Sequence, residues 1–175
     1  MLAVNRELVG LGHQVTALLP HAEGADVSEI VDGVHIERFR YFFPASLQRL
    51  CYNGGILPNL RRSWWARFNL PFFVLAQASA VARMAASKRY DLIHCHWLIT
   101  SGLMGAFFAG IGKAPLVVTA HGSDVFTENS LFKTLDRFVL GRCCACTVNS
   151  QRSGEKVSRI NPSARIVPVP MGVYP

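Results

Sequence analysis

The stretch Asp91-Leu-Ile-His-Cys-His-Trp97, followed by Pro115-Leu-Val-Val-Thr-Ala-His-Gly-Ser-Asp124 and Cys144-Ala-Cys-Thr-Val-Asn-Ser150, decides the fold. Each piece runs through apolar and β-branched residues, as a strand does, and closes on residues such as His96-Trp97, His121-Gly-Ser-Asp124 and Asn149-Ser150. Apolar segments over residues 103–111 and 131–140 lie between them and have helical length. Strands that are nearly all apolar and alternate with helices predict an α/β fold whose parallel sheet is covered by helices on both faces. Downstream, Ser150 reads as the N-cap of a helix over 153–160, and 165–169 reads as a last short strand. Upstream, residues 70–86 are rich in Ala and Leu with Pro71 near their start, predicting a helix buried on most sides. Pro44, Asn53-Gly54-Gly55 and Leu57-Pro58-Asn59 mark a long irregular section. Residues 34–39 alternate as a strand, 20–33 read as a polar loop, 13–19 as a buried strand, and 4–9 as the end of an amphipathic helix closed by Gly10-Leu-Gly12.

The 175 residues are half apolar and only 17% charged, so the chain can bury a sizeable core and is not a disordered segment. Its length fits one domain, 1–175. Pro, Gly or polar residues interrupt the apolar stretches at 68–82 and 97–112, which predicts no membrane-spanning helix. The first residues lack a basic head followed by an apolar run, so the cytoplasm is the expected compartment. Five cysteines, three of them crowded into Cys143-Cys-Ala-Cys146, fit reduced thiols packed as small hydrophobes better than a disulfide framework.

Charge is uneven. Residues 1–37 carry a net −5, residues 38–90 carry +9 without one carboxylate, and residues 91–175 carry +3. Within the basic stretch, Arg61-Arg-Ser-Trp-Trp-Ala-Arg67-Phe68 interleaves Arg61, Arg62 and Arg67 with Trp64 and Trp65. Guanidinium groups pair with phosphates and indoles partition to a bilayer interface, so a membrane surface or another anionic acceptor fits. A solvated basic face with its tryptophans packed on the core fits equally. No nucleic-acid module is recognisable, and nucleic acid is not an expected partner.

In an open parallel sheet, ligands bind beyond the carboxyl ends of the strands. That rule singles out His94, Cys95, His96 and Trp97 after the first strand, His121, Gly122, Ser123 and Asp124 after the second, and Asn149 and Ser150 after the third. Gly122 permits close backbone approach, His121 exchanges a proton near neutral pH, and Asp124 brings a carboxylate. His94, His96, His121 and Asp124 can also be drawn as a metal site of a hydrolase, although an acceptor-cleft wall needs no such coincidence. Gly54-Gly55 reads as a turn more readily than as a phosphate cradle.

Taken in order, the 91–97, 115–124 and 147–150 segments, with Gly102 and Gly105 between them and Val169-Pro-Met-Gly-Val173 after them, closely resemble the amino-terminal Rossmann-like domain of GT-B glycosyltransferases of family 4. Leu8-Val-Gly-Leu-Gly-His-Gln-Val15 is similar to that family's join of first helix to second strand, and Tyr52-Asn-Gly-Gly-Ile-Leu-Pro58 to a loop of some members. The resemblance implies sugar transfer with retention from a nucleotide-sugar donor to a glycan or lipid-linked acceptor, such as those of cell-envelope polysaccharide. It implies no catalytic metal or other cofactor. It places the residue matching His121 at the cleft beside the donor sugar, which makes His121 the catalytic candidate. Gly122, Asp124, His96, Trp97, Asn149 and Ser150, singled out by the strand-end rule, are the candidate substrate-binding residues, with Asp124 read as capping or positioning its loop and Asn149-Ser150 chiefly as capping the following helix. Family members have a further strand and a glycine-rich turn ahead of the first helix. They also have a second, glutamate-bearing nucleotide-binding domain after the Met171-Gly172-Val173 segment. The chain therefore reads as the acceptor-side domain of a longer enzyme, its sheet lacking the first strand and the fragment inactive alone. The competing reading is a non-catalytic remnant or interaction domain that keeps the fold.

Overall fold

The computed structural model describes residues 2–52, 55–87, 89–112, 114–122, 124–126 and 129–170. Gly54, Ser123 and the Met171-Gly172-Val173 segment lie outside them. The chain packs as two compact units, Met1–Val81 and Ala82–Pro175.

In the first unit, α1 (Leu2–Gly10) leads into β1 (Thr16–Pro20), β2 (Ser28–Val31) and β3 (Val34–Phe39). These strands form one sheet in the order β1-β3-β2, with β1 parallel and β2 antiparallel to β3. The polar loop expected over 20–33 thus contains a strand. Asp32 and Gly33, at φ +50° and +79°, form the two-residue turn of a β-hairpin. That Asp-Gly pair was the signal for it, overshadowed by the acidic, loop-like composition around it. Gly33 is needed twice over, because a Cβ there would also lie 2.7 Å from Val9 Cγ1 of α1.

The irregular section is also more ordered than expected. A 3-10 turn at Ala45–Leu47 precedes α2 (Ile56–Arg62), which Gly55 opens at φ +91°. Helix α3 (Trp64–Ser87) then starts six residues earlier than expected, its first turn steadied by Ala66 N–H donating to Ser63 Oγ. Pro71 therefore lies inside the helix rather than at its start. At 24 residues, α3 is the one helix among the described residues that is long and apolar enough to cross a membrane by length and composition, which corrects the expectation that no stretch would be. Nor is it buried on most sides. Only Ala66, Asn69, Phe73, Gln77 and Ala80 are buried, while Trp64, Phe68, Phe72 and Leu75 are exposed. Its buried face joins Phe39, Tyr41 and Leu50 in one core, with the Phe73 ring 5.3 Å from each of the rings of Phe39 and Tyr41.

The second unit matches the sequence reading closely. Strands β4 (Ile93–His96), β5 (Leu116–Ala120), β6 (Ala145–Val148) and β7 (Ile166–Pro168) form an all-parallel sheet in that order. It is flanked by α4 (Leu103–Gly112), α5 (Ser130–Leu140) and α6 (Gln151–Ile160). Fully buried Leu116, Val118, Cys146 and Val148 from the strands pack with Leu98, Val139 and Val157. All five cysteines are free thiols, and burial pushes Cys95 and Cys146 up to about 12, so both stay neutral inside the core. Gly105 lets α4 lie against the sheet, since a Cβ there would sit 2.6 Å from Cys95 Sγ and 2.9 Å from Leu116 Cδ1.

Candidate functional site

The site lies in the second unit, at the carboxyl ends of β4, β5 and β6. Parallel register sets His96 beside Thr119, and Thr119 beside Thr147. Side chains two apart on a strand share a face, so His94, His96, Thr119, His121 and Thr147 form a polar ladder across three strands. His94 Nε2 lies 2.7 Å from Thr119 Oγ1, and that hydroxyl lies 2.6 Å from Thr147 Oγ1. His96 Nδ1 lies 3.0 Å from His121 Nε2. The rings stack along the ladder, His94 on His96 at 4.6 Å and His96 on His121 at 5.2 Å, both at 33°. Trp97 closes the row with its indole 5.3 Å from the His121 ring.

Burial, followed by the neighbouring His94 and His121, lowers His96 to about 4, and burial with His121 also lowers His94. Near neutral pH the His96 imidazole is therefore uncharged, and in the contact between His96 Nδ1 and His121 Nε2 one ring nitrogen donates and the other accepts, as the tautomers set. The histidines lie ring against ring rather than converging on a point. Among the described residues, no three His, Cys, Asp or Glu side chains are placed to hold a metal ion.

The backbone around this row is unusual. Immediately after β4 the chain turns through a π-helical segment, Trp97–Gly102, entered with Trp97 at φ +66°. A bulky residue in the left-handed region is strained, and π-turns recur at functional sites. Three contacts hold the turn. Leu98 N–H donates to Asp124 Oδ2 at 3.1 Å, the Ser101 hydroxyl donates to the His96 carbonyl, and Gly102 has no Cβ to collide with the Trp97 carbonyl, which would be 2.7 Å away. Asp124 Oδ1 accepts from His121 N–H, also at 3.1 Å. The buried Asp124 carboxylate thus ties the loop after β4 to the loop after β5. Of its two expected roles, the structure displays the positioning one.

Gly122, at φ +92°, lets the loop after His121 reverse close to Ser153 Oγ and the Phe126 ring. Ser150 caps α6, its Oγ accepting from Ser153 N–H at 3.2 Å, and Asn149 Oδ1 accepts from the Ser153 hydroxyl at 3.5 Å. The residues expected at the three strand ends are therefore brought together, with Asn149 and Ser150 engaged in holding the start of α6. Thr119, Thr147 and Ser101 were not foreseen. The alternation of His94, His96, Thr119 and His121 at every second position was the available signal for the ladder.

Asp136 was also missed. It lies on α5, fully buried, with neither carboxylate oxygen hydrogen-bonded, and burial followed by the charge of Asp124 pushes it up to about 7.

The residues expected to form an anionic-acceptor surface belong to the first unit and divide by role. Trp65 donates from its indole N–H to the Leu47 carbonyl, and Arg67 donates from Nε to the Leu60 carbonyl, so both tie α3 to preceding segments. Arg61, Arg62 and Trp64 are exposed.

With this α/β fold and strand-end site in view, comparison with known families is decisive at one level: the glycosyl transferase 4-like domain family matches residues 1–172. The chain belongs to that family. None of the curated proteins matches it.

Proposed function

We propose that this domain supplies the acceptor side of the cleft of a retaining glycosyltransferase, which transfers a sugar from a nucleotide-sugar to a glycan or lipid-linked acceptor of the cell envelope. In this reading a second nucleotide-binding domain holds most of the donor, the reaction uses no catalytic metal or other cofactor, and the enzyme works in the cytoplasm. Family membership supports glycosyl transfer in general. The observation that carries the assignment of the site is the pairing of His121 with an uncharged His96 at the carboxyl ends of β4 and β5.

Cleavage of the bond to the nucleotide builds positive charge on the sugar and negative charge on the departing phosphate. Fixed dipoles in a site shielded from water stabilise such charge without reorganising. His121 is held on one side by His96, on its flank by Trp97 and through its own amide by Asp124, so it meets the sugar already oriented. Gly122 keeps the adjoining backbone open to close approach, and Asn149 and Ser150 form the neighbouring wall.

The test is His121→Ala in the transferase carrying this domain, assayed with a panel of nucleotide-sugars and glycan or lipid acceptors. The expected loss in kcat is on the order of a hundredfold, as for removal of one preorganised donor, with unchanged circular dichroism. Turnover near wild type would remove His121 from the reaction. Unfolding of the variant would assign it to the scaffold.

A further inference from the structure

Helix α3 carries two apolar stripes. The first, through Ala66, Phe73 and Ala80, is buried in the core of the first unit. The second runs along Trp64, Phe68, Phe72 and Leu75, spaced by four, four and three residues, and leaves them 71%, 46%, 41% and 68% exposed. Residues at that spacing share one helix face, about 16 Å long. The Phe42 ring lies 5.2 to 6.0 Å from the rings of Trp65, Phe68 and Phe72, so the stripe is a built aromatic surface rather than scattered side chains. The next residue, Phe43, is 86% exposed. A contiguous apolar face of this kind marks a docking surface.

Charge selects what docks there. Arg61 and Arg62 stand exposed in the last turn of α2, and Arg67 fastens that turn to α3 beside Trp64. None of the three forms an ion pair among the described residues. No Asp or Glu occurs anywhere from Arg38 to Tyr90, and of the basic residues in that stretch Arg38 is neutralised by Glu29. Exposed aromatic rings flanked by unpaired arginines complement a surface with phosphates outside and hydrocarbon beneath.

We propose that this face docks on an anionic bilayer, with Trp64, Phe68 and Phe43 entering the boundary between headgroups and acyl chains and Arg61 and Arg62 on lipid phosphates. The helix lies on the bilayer and does not cross it. Spanning would strip Phe73 from Phe39 and Tyr41 and would carry buried Asn69 and Gln77 into hydrocarbon. This inference does not depend on the reading of the histidine site.

The whole chain is sedimented with vesicles of phosphatidylcholine alone and of phosphatidylcholine mixed with phosphatidylglycerol. Binding is expected only to the anionic vesicles at ~0.1 M salt and should be lost at ~1 M, where the Debye length falls from ~10 Å to ~3 Å. The fluorescence difference between the chain and Trp64→Phe should shift to the blue on binding. Each arginine near an anionic surface is worth about fivefold in partitioning, so Arg61→Glu with Arg62→Glu should reduce it by on the order of a hundredfold or more. A second variant, Phe43→Ser with Trp64→Ser, should weaken binding while leaving its salt dependence. Both pairs are exposed, and circular dichroism checks that they fold. Equal partitioning to both lipids, none to either, or undiminished binding by the folded Arg61/Arg62 variant would overturn the proposal. So would self-association in light scattering without vesicle binding, which would make a second copy the occupant.

Discussion

Replacing Asp124 by alanine would remove the acceptor from two backbone amides at once. Leu98 N–H and His121 N–H each lie 3.1 Å from one of its oxygens. A buried donor left without a partner costs about 1–3 kcal/mol. The Leu98 contact is buried and should cost toward the upper end, whereas the His121 contact is partly buried, where water can replace the lost oxygen. Releasing Trp97 from its left-handed conformation returns about 1 kcal/mol. The net loss is then about 2–4 kcal/mol, a large part of the ~5–15 kcal/mol that stabilises an ordinary domain. Asp124→Asn keeps one acceptor but turns an NH2 toward the other amide, so it should lose about half as much. Urea unfolding of the three proteins measures the order, and hydrogen exchange at the Leu98 and His121 amides shows whether these two groups are responsible. An Asp124→Ala protein within about 0.5 kcal/mol of wild type, the range of an unremarkable surface change, would refute the role assigned to this carboxylate. So would unchanged protection of both amides.

Gly102→Ala would place a Cβ 2.7 Å from the Trp97 carbonyl and 3.3 Å from Val139 Cγ1, so an overpacking cost of about 1–3 kcal/mol and a changed near-UV signal from Trp97 are expected; wild-type stability and spectrum would mean the π-turn tolerates a side chain. Burial raises Asp136 from 3.8 to about 7, so the folded chain keeps a proton that the unfolded chain releases, and its contribution to stability falls as pH rises through that window, by about 1.4 kcal/mol for each pH unit. His96 acts in the opposite sense: lowered from 6.5 to about 4, it refuses a proton that the unfolded chain accepts, so its contribution falls as pH drops through that range. Relative to wild type, Asp136→Asn should therefore gain stability as pH rises from 4 to 7, and His96→Gln should gain it as pH falls from 6.5 to 4. Denaturation midpoints across this range decide the matter, and parallel profiles for the two variants would count against both assignments.

The sequence by itself determines the second unit almost completely. Strands β4 to β7 are short runs whose apolar character is local, helices separate them at regular intervals, and the Ser150 cap is a signal carried within four residues. It also points to the candidate site, because strand ends in a parallel sheet are where ligands bind, and His96, Trp97, His121, Gly122 and Asp124 stand there in the linear chain. What those residues do to one another was decided only by the tertiary structure. His96 and His121 are 25 positions apart and meet because parallel register aligns β4 with β5, and Asp124 reaches across the same register to Leu98. Nothing in the linear chain marks Asp136 on its helix, and it is the packing of the chain that buries it. The first unit was less legible, since its order depends on pairing rather than on periodicity. Strand β2 exists because the Asp32-Gly33 turn folds it onto β3, despite its loop-like composition. Helix α3 is apolar nearly all round, a pattern that cannot say which face meets protein; packing against Phe39 and Tyr41 buried one stripe and left the other, beside Arg61 and Arg62, exposed.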